Sequence, residues 1–296
     1  MMDPRNEVAR PLEKTAERLT RASEKFFYDV TTKLSWPERL DPDAWGMAPE
    51  LISLYGTPIW DGLDDAQRKR LSFYELAGFF SLILQGERPL LEGMSHRLYT
   101  LEKNLVVTEY MHHFLDEENK HMMMFSTYLR RYVGKVYPEK KLPLARKAAK
   151  GEDDIAFFTK VLVVEEISDY FNVEMGHDER LPQIVRDVNW THHVDEARHV
   201  HFGRCYLREL WEKTTPAWSA EELASFRGWL VDYLNATWRD FYNPSVYRDA
   251  GIPDPYGARE VALRSEVCRA HRQRSSRRFL ENLVESGLLA SIPELQ

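Results

Sequence analysis

The sequence predicts an all-α protein built on a four-helix core. Apolar residues recur every three or four positions over stretches of twenty residues and more. Runs of alternating β-branched residues are nearly absent. The 14 glycines and 15 prolines are few for 296 residues and cluster at the breaks between periodic stretches.

Residues 8–33 read as an N-terminal helix that ends before Trp36-Pro37. Residues 38–63, rich in Pro, Gly and Asp, read as an irregular connector. Four long helices follow. The first covers about 64–99 and opens on acidic residues, which suit the positive end of a helix. The second covers about 102–137 and is stopped near Pro138. The third covers about 153–175 and ends at Gly176. The fourth covers about 181–213 and ends before Pro216. Short links make the first and second an antiparallel hairpin, and the third and fourth another. The basic break at 139–154 is long enough to cross over between the hairpins. A helix at about 220–242, a Pro-containing loop and a last helix at about 259–286 complete the chain. The expected organisation is one helical domain over 1–296. Its core lies at about 64–213, with an N-terminal extension at 1–63 and C-terminal helices within 220–290.

Composition narrows the function. Forty Lys and Arg against 47 Asp and Glu give a formal charge of −7, which argues against a broad nucleic-acid surface. The longest apolar stretch, near residues 76–84, is too short to span a bilayer. The N-terminus has no apolar signal-peptide core. Two cysteines, Cys205 and Cys268, cannot make a disulfide framework and suit a cytoplasmic setting. No nucleic-acid or membrane partner is expected.

Polar residues on the inner stripe of a core helix call for a reason. The second helix carries Glu118-x-x-His121 and the fourth carries Glu196-x-x-His199. At a spacing of three, both side chains leave one helix face. A carboxylate and an imidazole converging there can ligate iron or manganese. Two further pairs, Glu109–His112 and Glu174–His177, show how common the pattern is. Spacing separates them. Glu87 stands 31 residues before Glu118, and Glu165 stands 31 residues before Glu196. Each half thus reads as one Glu, a hairpin turn, then Glu-x-x-His. The same offset from the other pairs leads to Gly78 and Pro143, which cannot ligate. His192 extends the fourth-helix stripe, whereas the matching position on the second helix is Phe114. The candidate ligands are therefore Glu87, Glu118, His121, Glu165, His192, Glu196 and His199. Four carboxylates balance two divalent ions.

Two ligand choices have rivals. Glu92 competes with Glu87, and Glu166 competes with Glu165. The apolar stripe Phe158, Val161, Leu162, Glu165, Ser168 favours Glu165. Glu118 and Glu196 read as the bridging carboxylates. Asp195 and Glu117 each precede a ligand Glu and are candidates to orient His121 and His199 respectively. Phe79, Phe80, Phe157 and Phe158 and the methionines at 122–124 read as core, the basic cluster at 269–278 as a solvated helix face, and the cysteines as inert buried thiols.

Glu87, Glu118-x-x-His121, Glu165 and His192-x-x-x-Glu196-x-x-His199 resemble the ligand pattern of the ferritin-like non-haem di-iron oxygenases. The extra histidine within THHVDEARHVHF resembles the p-aminobenzoate N-oxygenase (arylamine N-oxygenase) family. The resemblance spans about residues 50–245. It implies two iron ions, O2 as co-substrate and a peroxo-di-iron intermediate. It implies oxidation of an amine to hydroxylamine, nitroso or nitro product in a biosynthetic pathway such as an antibiotic's. An electron-donor reductase or small reductant is implied as partner, and a homodimer is also expected. The competing expectations are C–H hydroxylation or desaturation at the same centre, and non-enzymatic iron binding.

Overall fold

The structure, a computed structural model, describes residues 11–138 and 148–296. Residues 1–10, where the N-terminal helix was expected to begin, and residues 139–147, most of the basic break, lie outside the described residues. The described chain is all-α: a four-helix core carries additional helices at its N- and C-terminal ends.

The core consists of α4 (Asp65–Arg97), α5 (Leu105–Tyr128), α6 (Glu152–His177) and α7 (Gln183–Thr214). Local chemistry starts each one. Asp64 caps α4 in a reciprocal box with Gln67, and the Asn104 side chain accepts from Val106 N–H to cap α5. Three acidic residues, Glu152, Asp153 and Asp154, occupy the first turn of α6, where the helix dipole favours negative charge. Pro182 precedes α7. Packing then fixes how these helices lie. Phe80 packs on Phe125 and Tyr128, joining α4 to α5. Phe158 packs on Tyr206, joining α6 to α7. A Cβ on Gly203 of α7 would lie 2.8 Å from the Leu162 side chain of α6, so its absence leaves room for that leucine against α7.

The other helices wrap this core. α1 (Pro11–Lys25) lies on α5 and α7, and the four-residue α2 (Val30–Lys33) on α5. The connector contains a 3-10 turn at Pro49–Leu51 and the short α3 (Pro58–Asp61). α8 (Ala220–Phe241) starts at a Ser219–Glu222 capping box. α9 (Pro244–Ala250) packs on α4, α10 (Pro255–Arg264) follows, and α11 (Glu266–Glu285) packs on α6.

Four expected boundaries change. The helix expected over 8–33 is two helices, because Asp29 turns its side chain onto Thr31 N–H at 2.8 Å and starts α2 afresh. The second long helix ends in a π-helical turn, Leu129–Val133, and Gly134 terminates it at φ 76°. Pro244 starts a helix rather than breaking one, since a proline in the first turn loses no intrahelical bond. The last expected helix divides at Ser265, whose backbone is extended at φ −68°, ψ 131°. The basic cluster also needs correction at one residue. Arg272 is fully buried, and its guanidinium donates to Tyr242 Oη at 2.8 Å and to the Leu263 carbonyl at 3.2 Å.

Candidate metal centre

Seven polar side chains converge in the middle of the four-helix core. Glu87 comes from α4, Glu118 and His121 from α5, Glu165 from α6, and His192, Glu196 and His199 from α7. None is more than 1% exposed. They form three overlapping groups of donor atoms that could each hold a metal ion: Glu118, His121, Glu196 and His199; Glu87, His121 and His192; and Glu165, His192 and Glu196. Glu196 belongs to two groups, and its Oε1 lies 3.0 Å from His192 Nε2, 3.2 Å from His121 Nδ1 and 3.3 Å from His199 Nδ1. His199 Nδ1 also lies 2.8 Å from Glu118 Oε1.

The rival residues lie elsewhere. Glu92 is exposed. Glu166 turns away from the cluster and takes the Arg204 guanidinium, with Nε donating to Oε1 at 2.6 Å. Glu109, Glu174, His112 and His177 are exposed, and His112 pairs with Tyr99 at 2.9 Å. His193 pairs with Asp169, and His201 with Arg18.

The cluster has a donor set that suits cations. Both oxygens of Glu87, Glu165 and Glu196, together with Glu118 Oε1, His192 Nε2 and His199 Nδ1, are buried without a hydrogen-bond partner in the described structure. Leaving that many lone pairs unsatisfied in a dry core is costly unless protons or metal ions compensate. Without metal, protons do so. Burial pushes the Glu165 carboxyl well above the usual range, and the neighbouring Glu196 and Glu118 add to it. Burial pushes Glu87 up to about 7, with the nearby His192 working against the rise. Burial also opposes ionisation of Glu196, yet His199 and His192 outweigh it and hold that carboxyl well below its ordinary value. His199 stays protonated well above its ordinary range, because Glu196 and Glu118 overcome the desolvation that works against its charge. Metal ions binding here would displace these protons.

A further layer sits behind the histidines. His121 Nε2 lies 3.1 Å from Asp195 Oδ2, and His199 Nε2 lies 2.8 Å from Glu117 Oε2. Asp195 and Glu117 therefore sit behind the two rings that the sequence assigned to them. Sequence reasoning did not single out what holds these carboxylates. Arg198 donates to both Glu117, at 2.5 Å, and Asp195, and Tyr28 Oη donates to Asp195 at 2.9 Å. Arg198 lay within reach of the motif, three residues after Asp195. Tyr28 belongs to a distant segment and left no periodic signal. Phe114, the counterpart of His192 on α5, stacks on the His199 ring at 3.9 Å between centroids and 15° between planes. A cavity of about 30 Å³, lined in part by Glu75, Phe79, Phe171, Trp238 and Phe241, includes none of the seven side chains in its wall.

The sequence matches the family of the p-aminobenzoate N-oxygenase AurF over residues 10–287. The chain belongs to the p-aminobenzoate N-oxygenase family. It is thereby an oxidoreductase of the oxygenase class. No curated protein matches it in sequence. Among solved structures it resembles two variants of an R2-like ligand-binding oxidase with an anaerobically reconstituted Mn/Fe cofactor. One is 14% identical, with 95% of this chain and 93% of that chain covered and a TM-score of 0.53. The other is 15% identical, with 95% and 94% covered and a TM-score of 0.53. At such identity the likeness concerns the fold, which is ferritin-like. The buried carboxylates and imidazoles of this N-oxygenase family member suit metal binding. No helix among the described residues is long and apolar enough to cross a membrane.

Proposed function

We propose that this chain is a di-iron N-oxygenase that oxidises a small amine, an arylamine in the best reading. The observation that carries the proposal is the buried cluster of four carboxylates and three histidines, in a chain of this family. Glu87, Glu118, His121, Glu165, His192, Glu196 and His199 would hold the two metals, with Glu118 and Glu196 the carboxylates available to be shared. Bound iron supplies the means to reduce and cleave O2. The first N-oxidation balances when O2, two electrons and two protons convert the amine to a hydroxylamine and water. The electrons come from a reductase or a small reductant. The chain's own contributions are to exclude bulk water and to hold the metals at fixed depth. Phe114 covers one face of His199, and Asp195 and Glu117 hold two of the rings in orientation.

The test begins with metal analysis of purified protein, which distinguishes two irons from a mixed manganese and iron pair. The ferrous protein is then exposed to O2 and its optical spectrum followed. A long-lived visible absorption that decays faster with added arylamine, and an N-oxidised product by mass spectrometry, are expected. Steady conversion to a mineralised ferric core, indifferent to amine, would instead identify an iron-storage protein.

A further inference from the structure

We propose that Asn172 is a positioning residue: its side-chain carbonyl fixes the ring of His192 so that Nε2 is left free for a metal. The inference rests on the di-metal reading of the cluster.

A metal binds the bare nitrogen of a neutral imidazole, so the other nitrogen must carry the hydrogen and donate it. All three rings of the cluster turn one nitrogen inward and one outward. His121 and His199 turn Nδ1 inward and give Nε2 to Asp195 and Glu117, which can only accept when ionised. His192 is oriented the other way round. Its Nε2 faces Glu196 at 3.0 Å and Glu87 at 3.6 Å, and its Nδ1 lies 2.6 Å from the amide of Asn172.

Asn172 stands seven residues after Glu165 on α6, two turns along the same face, and is completely buried. Its amide nitrogen is placed against His192 Nδ1, which leaves its Oδ1 buried without a hydrogen-bond partner. Oxygen and nitrogen of an amide have nearly the same shape, and the bonding network decides between them. A half-turn of the amide puts Oδ1 against Nδ1–H and satisfies that acceptor. Only this orientation gives the His192 tautomer whose Nε2 can ligate. His192 is then the one ring of the three backed by a neutral group, whereas Arg198 ties the partners of the other two into a network. Removing the Asn172 carbonyl should weaken the metal position served by His192 and leave the other in place.

The experiment uses the full chain, loaded anaerobically with ferrous iron and challenged with a graded chelator, with iron per chain as the readout. Wild type should retain two irons. Asn172→Leu, similar in volume but unable to accept, should lose one iron at about ten- to a hundredfold lower chelator concentration, with the other retained. Asn172→Asp, which accepts and adds charge behind the ring, should hold both at least as tightly as wild type. Circular dichroism and thermal melts of the metal-free variants check folding, and if Asn172→Leu does not fold, the Asn172→Asp result decides. Two irons held equally tightly in Asn172→Leu and wild type would overturn the inference while leaving the di-metal reading intact. Loss of iron in Asn172→Asp would also overturn it. A wild-type chain that takes up no iron would overturn the di-metal reading itself, and this inference with it.

Discussion

His199 shows how much one side chain is asked to do. Its Nδ1 faces Glu118 and Glu196, its Nε2 meets Glu117, and its ring lies under Phe114. Replacing it with Ala removes an inward nitrogen and leaves Glu117 to Arg198 alone. His199→Ala should therefore lose bound iron and reduce activity by at least about a hundredfold. The far-ultraviolet circular-dichroism spectrum should stay helical, because α7 is held along its length by packing on α6. Full metal occupancy in that variant would count against the assignment. Most of the cluster was legible residue by residue. The two 31-residue intervals pick out the four glutamates, the three histidines lie three or four residues from two of them, and the pairs that lack that interval lie on the surface. Asn172 and Tyr28 were not legible, since a lone amide and a distant tyrosine carry no spacing signal.

Individual elements are set by the ends of helices and by close approaches between backbones. Gly46, in the connector, donates its N–H to Ser72 Oγ at 2.8 Å. A Cβ there would fall 2.5 Å from the Cα of Phe73, on the backbone of α4, which cannot swing aside. Gly46→Ala should destabilise the protein by about 1–3 kcal/mol, seen as a lower midpoint in urea denaturation. Gly228 makes a control, as a Cβ added there meets nothing within 4 Å. Gly228→Ala within α8 should be neutral or stabilising by roughly 0.5–1 kcal/mol. Equal losses in the two variants would show that the connector does not press on α4 as described. The boundaries that sequence pattern missed have the same origin. Asp29, Gly134 and Ser265 each stop or restart a helix through local geometry that an apolar period does not register.

A buried carboxyl outside the cluster, far along α4 from it, bears on the stability of the whole molecule. Glu75 accepts from Ser53 Oγ, which in turn lies 2.6 Å from Tyr247 Oη, so the group links α4, the connector and α9. Burial pushes its pKa from 4.5 up to about 8, against the Ser53 hydrogen bond. Between those values the folded chain keeps a proton that the unfolded chain has released, so a rise in pH favours unfolding. Stability from this group should be fully present below about pH 4.5, fall as pH rises toward 8, and level off beyond it. Glu75→Gln cannot ionise, and its stability should decline less between pH 5 and pH 8, by on the order of a few kcal/mol. Urea denaturation of both proteins at the two pH values checks this. Identical declines would mean that Glu75 titrates normally.

By itself the sequence determined that the protein is helical, that two hairpins make its core, and which seven side chains are candidates to share one level of it. Those properties are periodic, and period survives in a linear string. Tertiary structure decided which of two adjacent glutamates turns inward, because Arg204 draws Glu166 away, and which groups stand behind each imidazole. It also decided that Arg272 is buried, since Tyr242 and the Leu263 carbonyl reach it from outside its own helix. Contacts between separate segments depend on where the helices lie in space, and spacing along one chain does not encode that.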